Sequence, residues 1–201
     1  MKTDLDQRLD ELFALCQREG TKDYIGEAIS QLEHLSQGTE LALAAGADDE
    51  LVLATAFHDL GHICVDATRA RSMQGYGVDH HDRLGAAYLK RLGFSARICG
   101  LVGNHVRAKR YLVSRDSAYL ARLSAASLET LRHQGGAMSP EEAAAFEQDP
   151  LFADSLKLRL WDEAAKRVDT PLLDFAKLRD MARHHLEKNR SELQTQPPGP
   201  Q

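Results

Sequence analysis

The sequence is poor in cysteine, with only three among its 201 residues. Cys16, Cys64 and Cys99 lie far apart, and no two of them form a Cys-x-x-Cys pair. An odd, widely spaced set argues against a disulfide framework and against a zinc site built of thiolates, and it is typical of a reducing compartment. We therefore expect each cysteine to be a small apolar residue of the core.

Long hydrophobic runs and an excess of positive charge are also missing. No apolar run reaches the 18 residues that suggest a membrane span, and the N-terminus has no apolar signal segment. The net charge of -5 offers no basic field to nucleic acid or to an anionic membrane. These absences predict a cytoplasmic protein with neither nucleic acid nor membrane as partner. Cationic side chains that gather in a site would then be aimed at a small anion.

Alternation of apolar and polar residues, typical of half-buried strands, is nearly absent, whereas apolar residues recur every three or four positions. A chain of 201 residues suits one domain with a sizeable core. We predict an all-α fold, with one helical domain over residues 1–190 and a flexible tail over 191–201. A functional or mobile loop is expected at 66–79. The predicted helical stretches are 5–16, 24–35, 41–45, 49–57, 81–89, 95–106, 117–131, one starting at 139–140, 152–168 and 172–186.

The most informative stretch is an apolar run, 51–57, that is followed directly by His58 and Asp59 and then by Gly61. Glycine favours the left-handed conformation that ends helices, so this central helix is predicted to end near Gly61. An imidazole and a carboxylate would then lie at the buried end of a helix, where both need partners or a cation. Both groups are good metal ligands.

Other candidate ligands are dispersed over separate predicted helices, namely His34, His81, His105 and Asp162. Together with His58 and Asp59 they could surround a cavity in a bundle, as in helical di-metal proteins. A donor set of nitrogen and oxygen without thiolates suits iron, manganese or zinc. A carboxylate beside a ligand histidine can bridge two cations about 3.5–4 Å apart.

Four stretches then carry a resemblance to a known family: 24–34, 58–62, 105–112 and 159–162. Through the order His34, His58-Asp59, His81, His105 and Asp162, the chain resembles the HD-domain superfamily of metal-dependent phosphohydrolases. Within it, the chain is most similar to the PhnZ-like mixed-valent di-iron oxygenases, over residues 24 to about 166. The His-Asp pattern marks the superfamily, whereas Tyr24, Glu27 and the segment around Lys109 are more specific.

The resemblance implies two iron ions. One would be held by His34, His58, Asp59 and Asp162. The other would be held by His81 and His105, with Asp59 bridging. His81 is preferred to the adjacent His80 because its distance to Gly85 and Ala86 fits the helix start of the superfamily.

The resemblance also implies a reaction and its binding residues. A mixed-valent Fe(II)/Fe(III) pair with O2 as co-substrate would cleave the C–P bond of an aminophosphonate, 2-amino-1-hydroxyethylphosphonate, to give glycine and phosphate. Tyr24 and Glu27 would form a gate, with Tyr24 covering one iron and Glu27 facing the amine, and His62 would lie with them at the reacting centre. The phosphonate would be held by His62, Lys109, Ser127, Thr130 and Arg159.

Several alternatives stay open at this point. The protein could be a metal-dependent phosphohydrolase, an oxygenase for an N-methylated analogue, or a sensing module with structural metals. Lys109 could belong to a solvated charge run with Arg107 and Arg110. Ser127 and Thr130 could bond backbone carbonyls. Arg159 could pair with an aspartate of its own helix, Asp154 or Asp162.

Overall fold

The computed structural model describes residues 3–24, 26–64 and 72–195. In these ranges the chain forms ten α-helices and one short 3-10 helix, and its only β pairing consists of two isolated bridges. The all-α prediction is confirmed. The helices are α1 (Asp4–Glu19), α2 (Gln31–Ala44), α3 (Asp49–Phe57), the 3-10 helix (Leu60–His62), α4 (His81–Leu92), α5 (Ala96–Arg115), α6 (Ser117–Arg122), α7 (Ala125–His133), α8 (Pro140–Glu147), α9 (Phe152–Ala164) and α10 (Phe175–Thr195).

Helix α3 is the centre of the bundle. Every residue from Leu51 to Phe57 is buried, because α2, α5, α9 and α10 enclose it. A helix that is apolar all round is stable only when other elements cover it on all sides. The end of α3, where His58 follows, is therefore held firmly inside the fold.

Serine side chains set several helix starts. Ser30 accepts a hydrogen bond from the Glu33 amide, and the Glu33 carboxylate accepts one from the Ser30 amide, which is a capping box. Ser124 likewise caps α7 by accepting from the Ser127 amide. These caps determine where the segments around the functional site change direction.

The caps explain why some predicted boundaries are wrong. Residues 21–24 and 26–30 include turns and bends, with a bridge between Asp23 and Ser30, and α2 starts only at Gln31. It continues through the stretch 41–45, which was expected to be a separate helix. The predicted helix 117–131 is two helices, since Ser124 starts a new one. Apolar periodicity carries across such breaks and does not report them.

The central helix has the predicted span 49–57, but Gly61 does not end it. It ends at Phe57 rather than near Gly61, and a 3-10 turn carries the chain onwards. Gly61 packs so closely on α4 that a Cβ there would lie 1.8 Å from the carbonyl oxygen of His81. The glycine thus permits a backbone contact between the end of α3 and the start of α4.

Two predictions fall partly on residues that the structure does not describe. Helix α10 runs to Thr195, so residues 191–195 of the predicted tail 191–201 are helical, and residues 196–201 lie outside the described residues. Of the predicted loop 66–79, residues 65–71 lie outside them too, and 72–80 form turns with a bridge between Ser72 and Val78.

The cysteines are free, as predicted, and Cys16 is fully buried. Burial raises the pKa of the Cys16 thiol to about 12, so it remains a neutral, apolar group. Within the described chain, none of the helices is both long and apolar enough to cross a bilayer.

Candidate metal centre

Two pairs of histidines meet in the middle of the bundle. The Nε2 atoms of His34 and His58 lie 3.2 Å apart, and those of His81 and His105 lie 2.9 Å apart. All four side chains are buried. They come from α2, the end of α3, the start of α4 and α5, so four elements are needed to assemble them.

The outer nitrogen of each ring faces a backbone carbonyl, which fixes the tautomer. Nδ1 of His34 donates to Ala165 at 2.9 Å and Nδ1 of His58 donates to Thr55 at 2.8 Å. The Nδ1 atoms of the other pair face the carbonyls of Val78 at 3.2 Å and Val102 at 2.7 Å. Because a carbonyl oxygen only accepts, each Nδ1 carries the hydrogen and each neutral ring presents a bare Nε2 lone pair to the centre. Facing lone pairs at these distances need a proton or a metal cation between or beside them. Without metal, burial opposes protonation of His58, but the charges of Asp59 and Asp162 outweigh it and raise the His58 pKa well above its usual value.

Asp59 lies between the two pairs. Its Oδ2 is 3.7 Å from Nε2 of His34 and 3.4 Å from Nε2 of His58. Its Oδ1 is 3.5 Å from Nε2 of both His81 and His105. One carboxylate therefore offers an oxygen to each pair, the arrangement that a bridging ligand requires.

Asp162 adds a second carboxylate to the first pair alone. Its Oδ1 lies 3.4 Å from Nε2 of His34 and 3.6 Å from Nε2 of His58. This oxygen is buried and has no hydrogen-bond partner in the described part of the chain. Burying an unpaired carboxylate oxygen is costly, and a cation at the first pair would satisfy it.

The charge state of the carboxylates suits a cation as well. Burial opposes ionisation of Asp162, but the positive charge of Arg159 outweighs it and holds the pKa well below the usual range. Burial is likewise outweighed at Asp59, where His58 and His105 hold the pKa well below the usual range. The donor set of imidazole nitrogens and carboxylate oxygens fits iron, manganese or zinc. Two groups lie close enough together to hold an ion: His34, His58 and Asp59, and Asp59, His62 and His81.

His62 lies at the same centre with the opposite tautomer. Its Nδ1 accepts a hydrogen bond from the Val78 amide at 3.1 Å, so its Nε2 carries the hydrogen when the ring is neutral. Burial lowers the pKa of His62, which keeps the ring neutral. The ring stacks on His81 with centroids 4.0 Å apart, and Nε2 lies 4.0 Å from Oδ1 of Asp59. His62 is thus suited to donate a hydrogen bond rather than to bind a metal through Nε2.

His80, the alternative to His81, points elsewhere. Its side chain is 64% exposed and faces Asp79, while its backbone adopts the left-handed conformation just before α4. The structure brings His81 to the centre and leaves His80 outside it.

A cavity of about 50 Å³ lies beside the second histidine pair. All seven residues predicted to gate the site or to bind phosphonate line it. These are Tyr24, Glu27, His62, Lys109, Ser127, Thr130 and Arg159. Since one water needs roughly 10–15 Å³, the free space in the cavity accommodates a few water-sized groups.

Tyr24 covers the first pair, with its ring stacked on His34 at a centroid distance of 3.9 Å. Burial and the charges of Asp59 and Asp162 raise its pKa well above the usual value, so the phenol stays protonated. The segment then passes over α7 through Gly26, whose φ is +75° and whose added Cβ would lie 2.7 Å from that of Ala126. The turn is therefore seated closely on α7.

Lys109 is buried rather than solvated, which excludes the surface alternative for it. Its Nζ donates to Oγ1 of Thr130 at 2.7 Å and to Oε1 of Gln134 at 3.1 Å. Burial and the nearby Arg159 lower its pKa to about 7. Thr130 also donates to the carbonyl of Ser127, so the backbone bond considered for it is present too.

Arg159 is held by three neighbours. Its Nε donates to the Tyr119 hydroxyl at 2.7 Å, and its terminal nitrogens contact Asp162 and Glu163. The pairing with Asp162 that was considered from the sequence is therefore present, although Arg159 also lines the cavity. A guanidinium fixed in this way keeps its positive charge in place.

Lys166 is a residue that the sequence analysis missed. Its Nζ lies 2.8 Å from Oε1 of Glu163, 2.9 Å from Oγ of Ser127 and 3.2 Å from Oε1 of Glu27. Ser124, the cap of α7, also donates to Glu27 at 2.5 Å. Glu27 thus already has a counter-ion at the cavity wall. Lys166 follows the end of α9, and no local pattern links it to Glu27.

The comparisons with known proteins agree with this site. No protein-family model matches the chain. It is 35% identical over 187 residues to an uncharacterized protein of Acanthamoeba polyphaga mimivirus, covering 93% of this chain and 85% of that one. It is 34% identical over 172 residues to a [1-hydroxy-2-(trimethylamino)ethyl]phosphonate dioxygenase (glycine-betaine-forming) of Leisingera caerulea, covering 86% and 87% of the two chains.

A third relative is a hydroxymethylphosphonate dioxygenase of Gimesia maris, 34% identical over 181 residues, which cover 90% of this chain and 86% of the relative. Two relatives of this extent and identity carry the name of phosphonate dioxygenases. The phosphonate named as the substrate of both relatives is an anion, and the cavity of this chain combines metal-binding groups with buried cations. The chain belongs to the family of PhnZ-like phosphonate dioxygenases.

Proposed function

We propose that the protein is an HD-type di-iron oxygenase that uses O2 to cleave the C–P bond of 2-amino-1-hydroxyethylphosphonate. One observation carries the proposal: Asp59 offers an oxygen to each of two histidine pairs beside a small cavity with Lys109 on its wall. A two-metal donor set and a cationic wall are what an oxygenase for a small phosphonate needs.

The residues that would hold the irons follow from the two pairs. His34, His58, Asp59 and Asp162 would hold one ion, and His81, His105 and Asp59 would hold the other. When bound, a mixed-valent iron pair supplies the redox chemistry that activates O2 and a Lewis acid for the substrate hydroxyl. The four carbonyl acceptors at Nδ1 orient the imidazoles for this purpose.

The phosphonate end of the substrate would lie against the donors of the cavity. Lys109 supplies a charge-assisted hydrogen bond, and Nε2 of His62 supplies a second donor from the opposite tautomer. Arg159 adds positive charge from a fixed position, while Ser127 and Thr130 offer hydroxyls. Buried donors of this kind replace the water that surrounds a free phosphonate.

Glu27 would face the ammonium group at the other end, and Tyr24 would cover the first iron until substrate enters. An ammonium with N–H donors can hydrogen-bond Glu27, whereas a quaternary ammonium cannot. The reaction balances with one O2, because 2-amino-1-hydroxyethylphosphonate and O2 together contain the atoms of glycine and phosphoric acid. No further reductant is needed.

The N-methylated analogue is the second candidate, and Tyr76 is the observation that favours it. Tyr76 and Tyr24 both line the cavity, so two aromatic rings are available to a quaternary ammonium. The Lys166 contact also leaves Glu27 partly neutralised. Turnover of the primary amine and of its trimethyl analogue, compared as kcat/KM, decides between the two substrates.

The reaction itself is tested by loading the protein with iron anaerobically and oxidising it partially. We expect an electron paramagnetic resonance signal of a mixed-valent pair that changes when 2-amino-1-hydroxyethylphosphonate is added. Phosphate and glycine should then appear only after O2 is admitted. Release of phosphate from phosphoesters without O2, together with tight zinc or manganese binding, would instead identify a hydrolase.

A further inference from the structure

The two histidine pairs border different cavities. His81 and His105 line the polar cavity described above, whereas His34 and His58 line a second cavity. Asp59 borders both cavities. Gln31 borders both as well, and Asp162 lines the polar cavity. The two cavities therefore adjoin, but the histidines of each pair line only one of them.

The second cavity differs from the first in size and in chemistry. Its volume is about 20 Å³, which is room for one or two water-sized atoms. Most of its wall is apolar and comes from α1, α2, the end of α3 and the 3-10 turn. The apolar lining residues are Cys16, Leu32, Leu35, Ala56, Leu60 and Ile63.

Water and anions are poor occupants of this space. A buried water needs two to four polar partners, roughly. The polar lining residues are Gln31, His34, His58 and Asp59. The Nδ1 atoms of the two histidines are already bonded to the carbonyls of Ala165 and Thr55, and a bound metal would engage Asp59, which leaves Gln31 as the main partner for a water. None of the described lining residues is a lysine or an arginine, so a phosphonate would find no counter-charge there.

We propose that this apolar cavity is the binding site for O2 on its way to the His34–His58 side of the metal centre. O2 is apolar, has two heavy atoms and makes no strong hydrogen bonds, so it fits a small, mostly apolar space better than water does. The inference rests on the proposed oxygenase function and extends it. Substrate and O2 then use separate cavities, and a bound phosphonate leaves the path of O2 open.

Leu35 offers a direct way to alter the cavity. It is half-buried, lines the space and is not one of the groups placed at the reacting centre. Leu35→Phe should fill the cavity, and Leu35→Ala should widen it. Leu15→Phe is the matched control, because Leu15 is also half-buried on the same core and does not line this cavity.

The first readout is independent of turnover. Crystals of the wild-type protein under xenon pressure should show a xenon atom between Cys16 and Leu35, since xenon is an apolar probe of small dry cavities. The atom should persist in Leu15→Phe and in Leu35→Ala and should be lost in Leu35→Phe. Xenon that binds only elsewhere would overturn the proposal.

The second readout is the dependence of turnover on O2. Leu35→Phe should raise KM for O2 severalfold while KM for the phosphonate stays the same, and Leu15→Phe should change neither constant. Equal changes in both constants, or an unchanged KM for O2 in folded Leu35→Phe that has lost the xenon, would overturn the proposal. A protein that binds xenon but consumes no O2 with any phosphonate would show that the proposed function has failed, and the O2 assignment with it.

Discussion

His34 and His58 face carboxylate oxygens from both Asp59 and Asp162, whereas His81 and His105 face one from Asp59 alone. An ion at the second pair would keep more coordination positions for outside ligands. This pair borders the polar cavity, and the first pair borders the apolar one. The difference teaches that the two halves of the centre have unlike surroundings, which is what the proposed use of separate cavities by substrate and O2 requires.

The strongest test of the comparison is to remove each carboxylate separately. Asp59→Ala takes an oxygen from both pairs and should abolish the paired site, whereas Asp162→Ala should cost only the ion at the first pair. Iron content per chain and the coupled paramagnetic signal measure both effects. Asp79→Ala, which removes a carboxylate facing His80, should leave both unchanged. An intact coupled signal in Asp59→Ala would refute the bridging role.

A second test disturbs the backbone contact between Gly61 and the start of α4, which places the two histidine pairs relative to each other. Gly61→Ala forces a Cβ onto the carbonyl oxygen of His81, so it should lower the free energy of unfolding by about 3 kcal/mol. Gly103→Ala is the control on α5, because its nearest neighbour would lie 3.9 Å away. Urea unfolding of the metal-free proteins measures both. A Gly61→Ala protein as stable as the control would mean that the start of α4 can move away from residue 61 at little cost in free energy.

A third test addresses the phosphonate side. Lys109→Met removes a charged hydrogen bond and should weaken binding of the phosphonate by about 2 kcal/mol, or roughly thirtyfold. Because the pKa of Lys109 is lowered to about 7, its positive charge is lost as the pH rises through that value. Affinity of the wild type should therefore fall above pH 7.

Lys109→Arg is the matched control for this pH dependence. Arginine stays protonated, so its variant should keep a flatter pH profile for phosphonate binding. Ionisation of the phosphonate itself is common to both proteins and cancels in the comparison. Identical profiles for wild type and Lys109→Arg, measured by anaerobic calorimetric titration, would show that Lys109 does not titrate in this range.

The smallest expected effect is on the amine end of the substrate. Glu27→Ala should weaken the binding of 2-amino-1-hydroxyethylphosphonate by about 1 kcal/mol, and that of 1-hydroxyethylphosphonate by less. Lys166→Met should strengthen the binding of 2-amino-1-hydroxyethylphosphonate relative to that of 1-hydroxyethylphosphonate, because it removes the cation that lies 3.2 Å from Glu27. Equal losses for both ligands in Glu27→Ala would contradict contact with the amine.

The sequence was sufficient to predict the all-α fold and the residues that the structure brings together at the centre. His58 and Asp59 are adjacent in the chain at the end of an apolar run, so their burial could be predicted from local pattern. The other candidate ligands could be picked out as histidines and an aspartate on separate predicted helices, but their division between two ions was implied by the resemblance to a known family. The tautomers could not be predicted, since they depend on carbonyls such as that of Ala165, which is distant in sequence from His34.

Helix boundaries and long-range ion pairs were harder to predict from the sequence, for physical reasons. Apolar spacing continues through Ser124, although that residue caps a new helix and bends the chain. Lys166 meets Glu27 only because α9 ends beside the turn that precedes α2. Such contacts arise from tertiary packing and leave no periodic signal in the sequence.

The bare Nε2 atoms and the unpartnered oxygen of Asp162 also bear on the protein's lifetime. Without metal, five elements converge on closely spaced imidazoles and on a buried oxygen of Asp162 that has no hydrogen-bond partner in the described chain. Metal binding to such a site contributes directly to folding free energy. Newly made chains in a metal-starved cell should therefore unfold more often and be degraded sooner. The abundance of the enzyme would then follow the metal supply, with no separate regulator required.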